Sequence, residues 1–329
     1  MQSSAKNVRL SFSDRVSRFV KASPARMAMI IAVALYAITV AINPKCFNPV
    51  AIGSIILMTI LLAITASGQT IVLISGGVDF GVGSVMSAAA IITTYIMNGQ
   101  NGKTLQVMAL ALAMGALVGL CNGVCCVKIG LPPMIVTMAI SNVVTRLQYV
   151  FTQGSPGGYS ADDFARTVTY RIGGLVPTIV FYALIIFPLV LYLLNRSRFG
   201  KQVYMVGNNK IAARLNGVRV NQVIVLAYVF SGLLSAFAGT LGAAYMRTAK
   251  CQGFDHYAFT SLVAVIVGGT SFSGGIGSFS GTLAGALLMT VLSNMLTTLA
   301  LPQSYQNILN GVIVVALLIL YNRSKAVRQ

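Results

Sequence analysis

The chain has 329 residues, 56% of them hydrophobic and only 9% charged, a balance that a water-soluble domain does not sustain. Its formal charge of +18 would suggest nucleic acid in a soluble protein. Here the basic residues fall in polar stretches between apolar runs, so positive-inside topology explains them better and no nucleic-acid partner is expected. The acidic residues are five aspartates, Asp14, Asp79, Asp162, Asp163 and Asp255, and His256 is the single histidine. Neither a histidine metal cluster nor a catalytic triad can be assembled from this set.

Residues 1–26 carry Lys6, Arg9, Arg15, Arg18, Lys21 and Arg26, with Phe12, Val16, Phe19 and Val20 at helical spacing. This predicts a basic amphipathic leader on the inner membrane surface. Met27 to Ile42 reads as a retained first span, because the leader is long for a secretory signal and no small-x-small cleavage site follows. Further spans are predicted at 50–74, 84–98, 105–127, 133–152, 176–194, 221–245, 258–268, 279–300 and 305–321. The fold expected is an all-α integral membrane protein of about ten transmembrane helices, filling 27–322, with a tail at 323–329 and both termini in the cytoplasm. On this count sixteen of the 23 basic residues lie on inner segments, which fits the orientation.

The second span runs into Gly76-Gly77-Val78-Asp79-Phe80-Gly81-Val82-Gly83-Ser84. Four glycines break the helix there, and a carboxylate sits in the break. Non-helical backbone at membrane depth needs protein or water around it, and an intramembrane Asp is costly, so Asp79 is a functional candidate. The competing reading places Asp79 near the headgroups, capping the next helix.

The stretch has an echo. Val265-Ile266-Val267-Gly268-Gly269-Thr270-Ser271-Phe272 repeats the order apolar run, Gly-Gly, two residues, Phe, and Gly277-Ser278 follows as Gly83-Ser84 does. Paired glycine-broken helices in two halves of a chain point to a transport pathway. In this alignment Ser271 stands where the first copy has Asp79, and Phe272 where it has Phe80.

Glycines at 115, 119 and 123, and at 277, 281 and 285, form small-residue stripes that let helices approach closely. Cys121, Cys125 and Cys126 share one predicted span and read as small apolar packing. Cys46 and Cys251 both fall on the predicted outer side, which leaves a disulfide between them open. The outer loop 154–174, with Asp162, Asp163, Arg166 and Arg171, reads as solvated or as a docking surface for an external partner. Gly102-Lys103-Thr104 ends like a phosphate-binding loop, but Met97 occupies the position of the required first glycine.

The inner segment 196–219 is the second informative stretch. Asn208 or Asn209 caps a short basic helix over Lys210–Leu215, containing Ala212, Ala213 and Arg214, and Gly217 ends it, with Gly207 as the bounding turn before it. Such a helix held between glycine turns suits docking into another protein.

Taken together, GGVDFGVGS, the Gly-Asn-Asn-x-x-Ala-Ala-Arg-x-x-Gly-Val loop and GGTSFSGGIGS resemble the permease subunits of ABC importers for simple sugars, of the ribose, xylose and galactoside type, in the superfamily that includes branched-chain amino-acid permeases. The resemblance covers roughly 50–322. It implies a bacterial inner-membrane protein whose partners are a second permease chain, ATPase subunits and an extracytoplasmic solute-binding protein. ATP and magnesium would then sit on the ATPase and no cofactor on this chain, and the loop around Gly207 to Gly217 would couple to the ATPase. Phe80 and Gly81 replace the Leu-Ser pair usual in sugar permeases, and Asn208 and Asn216 stand where Gly and Ser are common. The alternative is an ion-coupled secondary transporter, which would need intramembrane carboxylates or histidines beyond Asp79.

Overall fold

The protein is described from a computed structural model over residues 23–302, 304–305, 307–309 and 311–312. The leader helix expected around Phe12 to Val20 and the tail at 323–329 lie outside the described residues, and the last span at 305–321 lies largely outside them.

Helix α1, Pro24–Ile42, opens with proline in its first turn, so it claims three residues of the expected leader, Pro24, Ala25 and Arg26. Helix α2, Pro49–Ile74, is capped by Asn48, whose side chain accepts the Ala51 N–H at 2.8 Å, with proline again at its start. After the first break come α3 (Val82–Met97), α4 (Thr104–Lys128) and α5 (Pro133–Thr152). A short α6 (Asp162–Thr169) and a two-residue hairpin, β1 (Arg171–Ile172) with β2 (Val176–Pro177), lead into α7 (Ile179–Asn195). Then follow α8 (Arg198–Asn208), α9 (Lys210–Leu215), α10 (Val220–Met246), α11 (Tyr257–Val267) and α12 (Phe279–Thr298).

Six of these, α1, α2, α4, α5, α10 and α12, are long and apolar enough to cross a membrane, and α7 with α8 makes a seventh if that pair, bent by 59°, is one span. The count of ten is not confirmed among the described residues, and two of the expected spans are short, the one at 258–268 as befits a helix broken at Gly268-Gly269. Helix α3 has 16 residues and α11 has 11. At 1.5 Å per residue they reach about 24 and 16 Å, short of the roughly 30 Å hydrocarbon core. The predicted spans 84–98 and 258–268 are therefore half-length helices.

Helix α10 is the centre of the bundle. On one flank Gly115, Gly119 and Gly123 of α4 lie against its backbone; a Cβ at Gly119 would come within 2.3 Å of the Tyr228 carbonyl oxygen. On another flank Gly239 rests on the backbone of Met86 in α3, and Gly68 of α2 rests on Ser231. Helix α12 crosses α11 through Gly281 on Gly268 and Gly285 on Ala264. Gly277 precedes α12 and packs instead on the Thr270 side chain, so the second stripe is shorter than expected. Exposed Met29, Ile30 and Val33 on α1, and Met134, Ile135 and Val150 on α5, give the apolar outer surface that lipid requires.

All five cysteines are free, which removes the Cys46–Cys251 disulfide. Cys46 Sγ lies 3.7 Å from the Thr298 hydroxyl and Cys251 Sγ 3.4 Å from that of Thr152. The loop 154–174 is not simply solvated either. Phe164 and Val168 of α6 are buried in the main core, Ala165 is buried beside them, and Asp162 pairs with Arg247 at the end of α10.

Candidate functional site: two helix breaks and the segment that joins them

The first break begins with a helix exit that needs a left-handed residue. Gly76 has φ +84°, its N–H donates to the Leu73 carbonyl at 3.0 Å, and the Gly77 N–H donates to that of Val72 at 3.0 Å. The chain then leaves helical structure over 77–79, turns at Phe80 and Gly81, and enters α3 at Val82. Asp79 lies inside this run with 2% of its surface exposed. One carboxylate oxygen accepts the Gly81 N–H at 2.8 Å, an Asx turn that leads into α3; the other accepts the Ser231 hydroxyl at 2.8 Å. Ser231 is near the middle of α10, so Asp79 sits deep in the bundle and not at its edge, which overturns the headgroup reading.

Neutral donors hold the rest of the segment. The Tyr228 hydroxyl donates to the Val78 carbonyl at 3.3 Å, and the Phe80 N–H donates to the Thr137 hydroxyl at 3.2 Å. Every partner of the carboxylate is a hydroxyl or an amide. Among the described residues the one ion pair, Arg247 with Asp162, lies elsewhere. Gly83 packs on the backbone of Phe254 and Asp255, so the start of α3 meets the turn between α10 and α11.

The second break repeats the exit. Gly269 has φ +94°, its N–H donates to Ile266 at 2.9 Å, and the Thr270 N–H donates to Val265 at 3.1 Å. By this hydrogen-bond register Gly269 corresponds to Gly76, and Gly268 to Ser75. The Gly-Gly pairs are therefore offset by one from the sequence alignment: Ser271 matches Val78 in the exit, and Phe272 matches Asp79. Ser271 is not the counterpart of the carboxylate. Its N–H donates to the Ile276 carbonyl at 2.8 Å, and its hydroxyl accepts the Ser273 N–H.

Helix α8 joins the two breaks. Gly207 was expected to be a bounding turn, but it lies inside α8 and touches both breaks. A Cβ there would sit 1.8 Å from the Ile74 carbonyl oxygen and 2.5 Å from the Gly275 nitrogen. Those two groups bond to each other, Gly275 N–H to Ile74 oxygen at 2.8 Å. One turn earlier, the Tyr204 hydroxyl donates to the Gly277 carbonyl at 2.8 Å. The end of α2, the turn before α12 and the last turn of α8 thus share one point of backbone contact.

The short helix α9 forms as the sequence indicates. Asn209, and not Asn208, caps it by accepting the Ile211 and Ala212 N–H groups at 2.9 and 3.0 Å. Gly217, at φ +76°, ends it, and the Val218 N–H closes back on Ala213. Ala213 is buried, while Ala212, Arg214, Ile211 and Leu215 are exposed. An apolar pair flanked by basic residues is thereby presented away from the bundle.

A family model for the branched-chain amino acid transport system / permease component matches residues 51–318. The chain belongs to this permease family. The ribose import permease protein of Escherichia coli K12 is 32% identical to this permease over 302 residues, covering 91% of this chain and 94% of that one. The ribose import permease protein of Bacillus subtilis is 30% identical over 293 residues, 87% and 88% of the two chains. The fructose import permease protein of Rhizobium meliloti is 28% identical over 312 residues, 92% and 86%. No solved structure matches. The permease is a multi-pass membrane protein.

Sequence reasoning missed the permease's anchors Thr137, Tyr204, Tyr228 and Ser231. Ser231 lies 152 positions from Asp79, and no spacing rule links them. Gly274 and Gly275 were visible within GGTSFSGGIGS, but their role depends on α8 lying alongside.

Proposed function

We propose that this chain is the membrane-spanning subunit of an ATP-driven importer for a monosaccharide or a related neutral solute. An extracytoplasmic binding protein would hand the solute over, and a second permease chain would complete the pathway. ATP and magnesium belong to separate ATPase subunits, which dock on α8 and α9 at the cytoplasmic face, where both termini lie. The contact of Gly207 with both helix breaks carries this reading. A force applied to α8 and α9 reaches the end of α2 and the turn before α12 through backbone, with no flexible side chain between. The ribose and fructose import names of the relatives favour a sugar as cargo. Exposed Ile211, Leu215 and Arg214 give the docking helix an apolar knob with a positive edge.

Gly76, Gly77, Asp79, Phe80 and Gly83, with Gly268, Gly269, Ser271 and Phe272, form the moving backbone in this scheme. Gly207, Asn208, Asn209, Ala212, Ala213, Arg214 and Gly217 form the coupling segment. The test is purification with the candidate ATPase and binding protein, followed by solute-stimulated ATP hydrolysis and uptake in proteoliposomes. Uptake by the permease alone, driven by a proton or sodium gradient, would replace this reading with a secondary transporter.

A further inference from the structure

Helix α12 carries Thr290, Ser293, Asn294 and Thr297 at the spacing that places them on one helical face. Facing hydrocarbon, a row of hydroxyls and an amide would be costly. It faces a cavity instead. The cavity, about 340 Å³, lies between α2, α11 and α12, and Ser54, His256 and Thr260 contribute to its other walls. Met58, Leu62 and Met289 supply apolar wall. Its lining contains no Asp, Glu, Lys or Arg. Ser54 lies near the start of α2, and Gly207 meets the other end of α2, so the cavity is at the end of the bundle remote from α8 and α9.

The α2 face that lines it, Ile55, Met58 and Leu62, continues inward at helical spacing to Ala66, Gln69 and Leu73. Ala66 and Leu73 pack in one cluster with Ala258, Leu262 and Val265 of α11 and with Val78 and Phe80 of the first break. Gln69 lies between them on that face, fully buried, and neither end of its amide has a hydrogen-bond partner. A buried amide with both ends unpaired is rare and calls for a partner that arrives.

We propose that this cavity is the entry subsite for a neutral polyhydroxylated solute, with Gln69 its next hydrogen-bonding partner on the way to the helix breaks. This rests on reading the chain as the permease of an importer. Hydroxyls and an amide both donate and accept, so they match the alternating donors and acceptors of a polyol. A pocket of mostly apolar wall with a few such groups is the usual form of a small-molecule site. A zwitterion would bring two charges into a lining with no charged partner for either, so the chemistry selects against free amino acids.

Two measurements on the full complex test it. In sealed vesicles of known orientation, Ser293→Cys is labelled with a membrane-impermeant maleimide from the extracytoplasmic side, with the unsubstituted chain as baseline. Labelling is expected at least tenfold above baseline and slowed by ribose or fructose, with binding protein present, but not by leucine. No labelling from that side, no protection by either sugar, or protection by leucine alone overturns the proposal. In proteoliposomes, Asn294→Leu and Gln69→Leu are each expected to lower saturated uptake of the protecting sugar at least tenfold. Native rates in both would equally overturn it. If the unsubstituted complex takes up neither sugar on ATP, the importer reading fails, and the labelling result still decides whether the cavity binds a polyol.

Discussion

Gly207→Ala tests the contact on which the proposed coupling depends. The added methyl would sit 1.8 Å from the Ile74 carbonyl oxygen and 2.5 Å from the Gly275 nitrogen, both backbone atoms that no rotamer change can clear. Helix α8 must retreat by more than about 1 Å to restore ordinary contact, and overpacking of this kind costs about 1–3 kcal/mol. The retreat also strains the hydrogen bond from Gly275 N–H to Ile74 oxygen, at 2.8 Å in the native chain. A buried donor or acceptor left unpaired adds about 1–3 kcal/mol. The combined effect, about 2–6 kcal/mol, falls on the arrangement in which α8 touches both breaks. Gly207→Ala should insert into the membrane, lower the thermal midpoint of the purified permease, and leave ATP hydrolysis poorly converted into uptake. Gly157→Ala is the control, since nothing lies within 4 Å of its added methyl and its backbone is not left-handed. A Gly207→Ala chain as stable as the control, with native uptake per ATP, would refute the reasoning.

Asp79→Asn keeps the volume but weakens bonds to the Gly81 N–H and the Ser231 hydroxyl, which as charge-assisted contacts contribute roughly 1.5–3 kcal/mol; the variant should assemble and transport poorly, and native uptake would show that the carboxylate is dispensable. Arg214→Glu reverses a charge on the exposed face of α9 and should reduce ATPase co-purification, by about 2–5 kcal/mol if that charge is buried in a pair at the interface. Unchanged co-purification would move the docking site off α9. At the opposite end, hydrogen bonding and charge from Arg247 hold the Asp162 carboxyl below its ordinary range. That tether is present above the unfolded-state value of about 3.9 and is lost as pH falls through the lowered folded value. Proteolysis of residues 154–161 should accelerate in acid, and Asp162→Asn should show the acid rate already at pH near 7; a pH-independent rate in the native chain would remove the tether from the account.

Local chemistry made the long helices and α9 legible. Apolar runs announce α1, α2, α4, α5 and α10, and the Asn209 cap with Gly217 bounds α9 within six residues of chain. Position within the bundle was not legible. The apolar run 84–98 looks like a crossing because composition does not report depth, whereas α3 starts against the backbone of Phe254 and Asp255. The same limit applied to Gly207. A glycine before Asn-Asn reads as a turn from sequence, and only the approach of Ile74 and Gly275 shows it to be a packing point. The stripe from Thr290 to Thr297 was visible at helical spacing, but a polar face has meaning only once the cavity it lines is known.

The one-residue shift between the two breaks explains why they need not move alike. Sequence order pairs the Gly-Gly doublets, whereas the helix exits pair Gly76 with Gly269. After the exit the first break is fixed at several points: Asp79 on Ser231, Val78 on Tyr228, and Phe80 on Thr137. The second has no carboxylate at the matching place. It turns through Gly274 and Gly275, both with positive φ, and bonds to α2 and to α8 through Ile74 and Tyr204. A displacement of α8 therefore acts on the second break directly, while the first is held to α10 and α5 by side-chain bonds that must yield before it follows. Weakening those bonds at Asp79 should loosen the first break alone, and crowding Gly207 should disturb both. Comparing the two variants for backbone hydrogen exchange at 76–81 and at 269–278 separates these cases. Equal protection changes at both breaks in Asp79→Asn would show that they move as one body.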